Sequence, residues 1–144
     1  MSEELAELKA RCERLALLHE TGAAADAALG SPQALEAVLT AAIRATRASA
    51  GFIALINPTT GFLEIETASG LPPRAGERQL RVSEGIIGWV TRTGKAARVN
   101  NVAGDPRYVA LRRLTRAELA VPLDVGGQVH GVLCVHADQR GAFS

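Results

Sequence analysis

Two apolar segments near the C-terminus flank the pair Gly126–Gly127. One runs from Leu119 to Val125 and the other from Gln128 to His136. A two-residue turn between antiparallel strands requires residues that tolerate positive φ, and glycine does so without steric cost. The sequence therefore predicts a β-hairpin, which commits the chain to a sheet with antiparallel pairs.

Four further segments predict strands. Residues 51–56 form a continuous apolar run, which is typical of a buried central strand. Residues 62–67 alternate between apolar and polar side chains, so one face of this strand is expected to be buried. Shorter strands are predicted at 79–82 and 97–100.

Helix signals surround these strands. Ser31 and Pro32 are suited to the cap and the first position of a helix, which is predicted to end near residues 50–51. Its apolar stripe consists of Leu35, Val38, Leu39, Ala42 and Ile43. A short helix is predicted from Gly85 to its glycine stop at Gly94.

A third helix is predicted to begin at Asp105–Pro106, with Asp105 as the cap. The order of all these elements indicates an α+β fold with a central antiparallel sheet of five to six strands. We expect N-terminal helices on one face of the sheet, and short crossover helices enclosing a pocket on the other.

Residues 1–30 predict an N-terminal helix that leads into a domain at residues 31–144. Leu5, Leu8, Cys12, Leu15 and His19 follow a 3-4 spacing over about two heptads. Two interpretations stay open: an ordinary helix packed on its own domain, and a parallel dimer helix in which Cys12 lies at the seam.

Composition excludes several function classes. A length of 144 residues suits one domain, and the net charge of +1 provides no field to attract a polyanion. Aromatic residues make up 3%, which leaves little stacking surface for nucleic-acid bases. Two distant cysteines, an acidic start and the lack of a long apolar run predict a cytoplasmic protein without membrane insertion.

Several motifs, taken in their order along the chain, resemble those of the GAF domain, a small-molecule-sensing and dimerising module of signalling proteins. They are residues 35–43, 51–56, 84–90 with 93–95, 105–108, 120–123, 126–133 and 141–144. The resemblance covers roughly Leu15 to Ser144. It implies a pocket on one sheet face and helices that form a homodimer and control an attached output domain, such as a bacterial sensor histidine kinase in a two-component system.

The resemblance also implies a C-terminal helix after Phe143–Ser144, so we expect the chain to be a fragment of a longer polypeptide. It argues against three subtypes. Asn100–Asn101 is followed by Val102 without the signature of cyclic-nucleotide binding, and residues 105–118 lack the Cys-His pair of bilin-binding members. Only Cys134 lies in the domain body, where free methionine sulfoxide reductases have several cysteines.

The candidate pocket residues lie near the expected roof and floor of the pocket. They are Phe52, Ile86, Trp89, Arg98, Asn100, Asp105, Arg107, Tyr108 and Cys134. Packing and capping are the alternative roles for them. On the last strand, His130, Cys134 and His136 have even spacing, and Cys134 with His136 could share a zinc or haem iron, although buried packing is the favoured interpretation.

No paired carboxylates or nucleophile–base motif appear, so we expect no catalytic residues and no enzyme activity of the domain itself. The favoured function is regulatory sensing of an unidentified small molecule. The alternatives are a purely structural dimerisation module with a self-filled pocket, and a haem- or metal-binding redox sensor. The sequence names no cofactor.

Overall fold

The computed structural model describes residues 31–72 and 80–143, together with Glu3 and Ala6. Helix α1 spans Pro32–Thr46 and helix α2 spans Gly85–Thr93. The strands are β1 Ala50–Ile56, β2 Phe62–Ser69, β3 Leu80–Arg81, β4 Ala97–Val99, β5 Ala117–Val125 and β6 Gln128–Ala137. A 3₁₀ turn covers Val102–Gly104. The predicted helix at residues 1–30 and its dimer seam lie outside the described residues, apart from Glu3 and Ala6.

The six strands form one sheet in the order β3-β2-β1-β6-β5-β4, and every neighbouring pair is antiparallel. The predicted α+β class and antiparallel sheet are therefore confirmed. Gly126 and Gly127 have φ values of 59° and 81°, as a tight hairpin turn requires. A bulge in this hairpin makes His130 the extra residue of β6, because Leu123 pairs with Gly131 and Asp124 with Val129.

The two faces of the sheet bury separate apolar clusters. On one face α1 packs through Leu35, Leu39 and Ala42 against Ile53, Leu119, Val121, Leu133 and Val135. On the other face α2 packs through Ile86, Ile87 and Val90 against Phe52, Ala54, Ala120, Val132 and Cys134. The alternation of side chains along β1, β5 and β6 divides the residues between the two clusters.

Helix α1 begins as predicted and ends earlier. The Ser31 hydroxyl accepts a hydrogen bond from the Ala34 N–H at 3.4 Å, and proline follows the cap. The helix ends at Thr46, because Arg47 adopts a left-handed conformation with φ 57° and its N–H bonds back to Arg44. Residues 50–51, where the sequence predicted the helix end, already belong to β1.

The prediction of a helix that begins at Asp105 is wrong. After the 3₁₀ turn, residues 105–116 form turns and bends without an α-helix. The Asp105 carboxylate accepts hydrogen bonds from the Arg107 backbone N–H at 2.8 Å and from the Arg107 guanidinium at 3.0 and 2.6 Å. This local bonding to a residue two positions on offers the backbone a turn in place of a helix. The crossover on this side of the sheet thus consists of α2, the 3₁₀ turn and an irregular loop at 105–116.

Gly131 is a position where the backbone of β1 lies close to β6. A Cβ at this position would lie 2.3 Å from the Ala54 carbonyl oxygen, so alanine would force the central strands apart. We expect Gly131→Ala to lower the free energy of unfolding by about 1–3 kcal/mol in chemical denaturation. Gly104→Ala is the control, because its Cβ would meet nothing nearer than 3.7 Å. Equal stability losses in the two variants would contradict this packing.

Among residues 31–72 and 80–143, no helix combines the length and apolarity needed to cross a bilayer.

Candidate ligand cavity and buried polar cluster

A cavity lies between the sheet and its crossover, at the N-terminal end of α2. Its lining residues are Phe52, Leu80, Arg81, Glu84, Gly85, Ile86, Ile87, Val109, Leu111 and Glu118. The volume is about 20 Å³, which is room for roughly one water molecule. Apolar walls around few polar groups are typical of small-molecule sites.

Glu118 is the buried polar group of this lining, with 4% of its surface exposed. It lies on β5 directly opposite His136 of β6, which is 1% exposed. Cys134 lies on β6 two residues before His136 and is fully buried. The ligand-capable atoms of Glu118, Cys134 and His136 all lie within 4.8 Å of one another. These three residues are called the polar cluster below.

Neighbouring side chains orient the imidazole. His136 Nδ1 lies 3.1 Å from Thr115 Oγ1 in a hydrogen bond, and the His136 ring meets Phe52 edge-on at a centroid distance of 5.7 Å. Arg112 approaches Thr115 Oγ1 at 3.5 Å and forms an ion pair with Asp138 at 2.5 Å. The imidazole is therefore held from two sides, and Nε2 is directed towards the other members of the polar cluster.

Burial keeps two groups in or near the polar cluster protonated, the Cys134 thiol and the Tyr108 phenol. Burial raises the pKa of the Cys134 thiol well above its usual range, and the charge of Glu118 adds to this. Burial, with the same carboxylate, raises the pKa of Tyr108. Both groups therefore stay protonated at neutral pH in the ligand-free domain. A protonated, fully buried thiol is a poor nucleophile.

The structure separates the sequence-predicted pocket residues. Phe52 and Ile86 line the cavity. Cys134 and Tyr108 lie in or beside the apolar cluster beneath α2. Arg98 is exposed on β4, and His130 lies at the bulge, outside the polar cluster.

Trp89, Asp105 and Arg107 form a stacked group outside the cavity lining. The Arg107 guanidinium lies 4.6 Å from the centre of the Trp89 ring and binds the Asp105 carboxylate. The hydrogen bond from Arg107 lowers the pKa of Asp105. This group secures the irregular loop at 105–116 to α2.

Asn100 contacts the C-terminal segment. Its side-chain oxygen accepts a hydrogen bond from the Phe143 N–H at 3.2 Å, and its backbone carbonyl accepts one from the Gly141 N–H at 2.9 Å. Phe143 is fully buried in the cluster beneath α1. Asn100 therefore links the end of β4 to the last described residues of the chain.

Sequence reasoning missed Glu118 and Thr115. The hairpin strand was predicted to begin at Leu119, which left Glu118 outside it. A regular ladder continued from Val125–Gln128 would pair Glu118 with Val135, on the opposite face, so only the bulge at His130 places it beside His136. The sequence signal that could have indicated Glu118 is a single acidic residue immediately before a long apolar strand.

Comparison with known proteins agrees with this architecture. The family model of the GAF domain matches residues 28–144. The GAF domain of an Acinetobacter phosphoenolpyruvate-protein phosphotransferase superposes with a TM-score of 0.71 at 22% identity, over 99% of this chain and 81% of that one. A search of curated proteins finds no match.

Two other structural neighbours have different functions. The type II free methionine-R-sulfoxide reductase of Thermoplasma acidophilum has a TM-score of 0.68 at 19% identity, over 78% of this chain and 77% of that one. A Staphylococcus aureus NreA protein mutated in its nitrate binding site has a TM-score of 0.59 at 28% identity, over 77% of this chain and 83% of that one. With the six-stranded antiparallel sheet and the family match over most of its length, the chain belongs to the GAF domain family.

Proposed function

We propose that this domain is a non-catalytic regulatory module that binds a small molecule in the cavity between the sheet and α2. The observation that carries the proposal is the position of Glu118, a buried carboxylate at the end of an otherwise mainly apolar lining. A buried carboxylate needs hydrogen-bond donors. A ligand that supplies a further donor to Glu118 while filling the apolar space would match both parts of this lining.

The lining favours a ligand with an apolar body and a hydrogen-bond donor, such as an amine or an amide N–H. Glu118 and Glu84 are both carboxylates, whereas Arg81 is the one cation of the described lining and is exposed. This charge balance opposes an anion such as nitrate. A ligand of more than a few atoms must displace the loop at 105–116, which contributes Val109 and Leu111 to the cavity wall.

A non-catalytic role is supported by the state of the thiol. Cys134 is the one cysteine within residues 31–72 and 80–143, and its burial and raised pKa oppose nucleophilic attack on a sulfoxide. The architecture shared with methionine sulfoxide reductases therefore serves binding here in place of redox turnover.

The regulatory output would pass through the C-terminal segment. The cavity-side cluster includes Ala97 and Val99 of β4, and Asn100 follows them and holds Gly141 and Phe143. A ligand that shifts α2 would move β4 and thus this segment. We propose that the domain forms a homodimer through residues 1–30, and that the dimer controls an output domain such as a histidine kinase.

Asn100→Ala removes the side-chain acceptor that holds the Phe143 N–H. We expect faster amide hydrogen exchange at residues 141–143 and a loss of about 1 kcal/mol of stability, since one hydrogen bond is removed. Asn101→Ala is the matched control, because Asn101 is exposed at the next position. Unchanged exchange at 141–143 in Asn100→Ala would disprove the coupling through this side chain.

The binding proposal is tested with a thermal-shift panel of alkylamines, amino acids and nucleobases, with nitrate and methionine sulfoxide included. At 100 times its Kd, a ligand stabilises the native state by about 2.7 kcal/mol. Val109→Phe fills the cavity and should abolish the shift of any active compound. Val38→Phe enlarges a half-buried valine on α1, against the opposite sheet face, and should retain it.

The small cavity volume favours one alternative, a structural dimerisation module whose pocket needs no ligand. In that case no compound raises the unfolding midpoint of the domain or of Val109→Phe.

A further inference from the structure

The polar cluster contains a contact that neither tautomer of a neutral imidazole satisfies beside an ionised Glu118. His136 Nε2 lies 2.9 Å from Glu118 Oε1, yet the contact lacks hydrogen-bond geometry, and Nε2 has no partner although the side chain is 1% exposed. If Nδ1 carries the ring proton, Nε2 turns a lone pair towards a carboxylate. If Nε2 carries it, the N–H has no aligned acceptor. A buried polar atom without a hydrogen-bond partner destabilises the folded state by about 1–3 kcal/mol.

A metal ion would satisfy all three members of the polar cluster. Thiolate, imidazole and carboxylate are the ligands that zinc prefers, at about 2.0–2.3 Å from the ion. In tetrahedral geometry those bond lengths place the ligand atoms about 3.3–3.8 Å apart, and the three atoms here already lie within 4.8 Å, one pair at 2.9 Å. Small side-chain rotations therefore suffice.

The charges of the three ligands and the orientation of His136 also favour a divalent metal ion. A thiolate and a carboxylate neutralise the two positive charges of a divalent ion, so burial leaves no net charge. Thr115 Oγ1 lies 3.1 Å from His136 Nδ1; in the tautomer that metal binding requires, this hydroxyl accepts a hydrogen bond from Nδ1–H and the Nε2 lone pair is free for the metal. Glu118 also lines the cavity, from which water or a ligand could reach a metal held by the polar cluster.

We propose that Glu118, Cys134 and His136 bind one divalent transition-metal ion of the zinc class, with Thr115 as a positioning residue. On binding, the Cys134 S–H bond breaks, the sulfur–metal bond forms and the proton leaves to solvent. The fourth position faces the cavity and takes water or a lone-pair donor of a ligand. The competing occupant is a single proton shared between Glu118 and His136.

The test uses protein stripped with a chelator and then titrated with Zn²⁺ or Co²⁺. We expect one equivalent of bound metal per chain by elemental analysis. Co²⁺ should produce visible bands of tetrahedral cobalt and a near-ultraviolet sulfur-to-cobalt charge-transfer band. Cys134→Ser should remove the charge-transfer band, and Cys12→Ser should retain it, because the chain has two cysteines.

Thr115→Val keeps the shape of the side chain and removes the hydroxyl. It should weaken metal affinity by about 10–100-fold while preserving the cobalt spectrum, as loss of a partner behind a ligand histidine does. No stoichiometric uptake of either metal, or a charge-transfer band that survives Cys134→Ser, overturns the proposal. Circular dichroism verifies that each variant is folded. If Cys134→Ser does not fold, the metal affinity of Thr115→Val still tests the proposal.

Metal uptake is measured without any organic ligand, so it can succeed or fail independently of the small-molecule proposal. Val109→Phe, which blocks the cavity, should still bind Co²⁺ through the same three residues.

Discussion

Replacing Phe52 with alanine is expected to lower the free energy of unfolding by about 3–5 kcal/mol, the range measured for fully buried aromatic residues. Phe52 lies on β1, has no exposed surface, pairs with Cys134 in the ladder and contacts the His136 ring edge-on. Its ring forms a wall of the cavity and one side of the polar cluster. Removal of the Phe52 ring opens a void that joins the cavity to the polar cluster.

Phe62→Ala is the matched control. Phe62 lies at the start of β2 with its ring half-buried beneath the Arg81 guanidinium, 5.8 Å from the ring centre. Because less area leaves water when this ring packs, we expect a clearly smaller loss of stability. Chemical denaturation of the two variants measures the difference, and equal losses would show that Phe52 is not a core residue.

Replacing Glu118 alone with leucine is expected to be destabilising in metal-free buffer, by about 1–3 kcal/mol, because it replaces the polar atom 2.9 Å from the buried His136 Nε2 with a hydrocarbon side chain. The double variant Glu118→Leu/His136→Leu removes both polar groups and should recover most of that loss. The coupling follows from the 2.9 Å separation of Nε2 and Oε1 in the sheet interior.

Glu66→Leu controls for the change in residue type, because this carboxylate is exposed on β2 and its replacement should alter stability by no more than about 0.5 kcal/mol. Additive losses in the double variant, measured by a double-mutant cycle, would show that Glu118 and His136 do not act as a pair.

Local signals predicted most of the fold. Gly126–Gly127 determines its turn through positive φ, and Gly94 ends α2 in the left-handed conformation with φ 68°. Ser31–Pro32 starts α1 as predicted. Each of these signals acts within a few residues, so tertiary packing does not override it.

The failures have tertiary or competing local causes. The Asp105–Pro106 pair is typical of a helix start, but the Asp105 carboxylate forms a turn with Arg107, and Arg107 stacks on Trp89. This stacking depends on where α2 lies, which the sequence does not reveal.

The candidate site was only partly predictable for a similar reason. Periodicity placed Cys134 and His136 on one face of β6, whereas their partner Glu118 comes from the neighbouring strand. Its register depends on a bulge at His130, and a one-residue bulge leaves no clear mark in a sequence. Thr115, which orients His136, lies in an irregular loop without periodicity.

The central claim is that a small molecule binds between the sheet and α2. Methyl-resolved NMR of the domain, titrated with the most stabilising compound of the panel, tests it most directly. The account predicts shifts at Ile86, Ile87, Val109 and Leu111 around the cavity, with Leu35 and Val38 on the opposite face unchanged. Shifts confined to the α1 face, or saturation without any change at these cavity methyl groups, would contradict it.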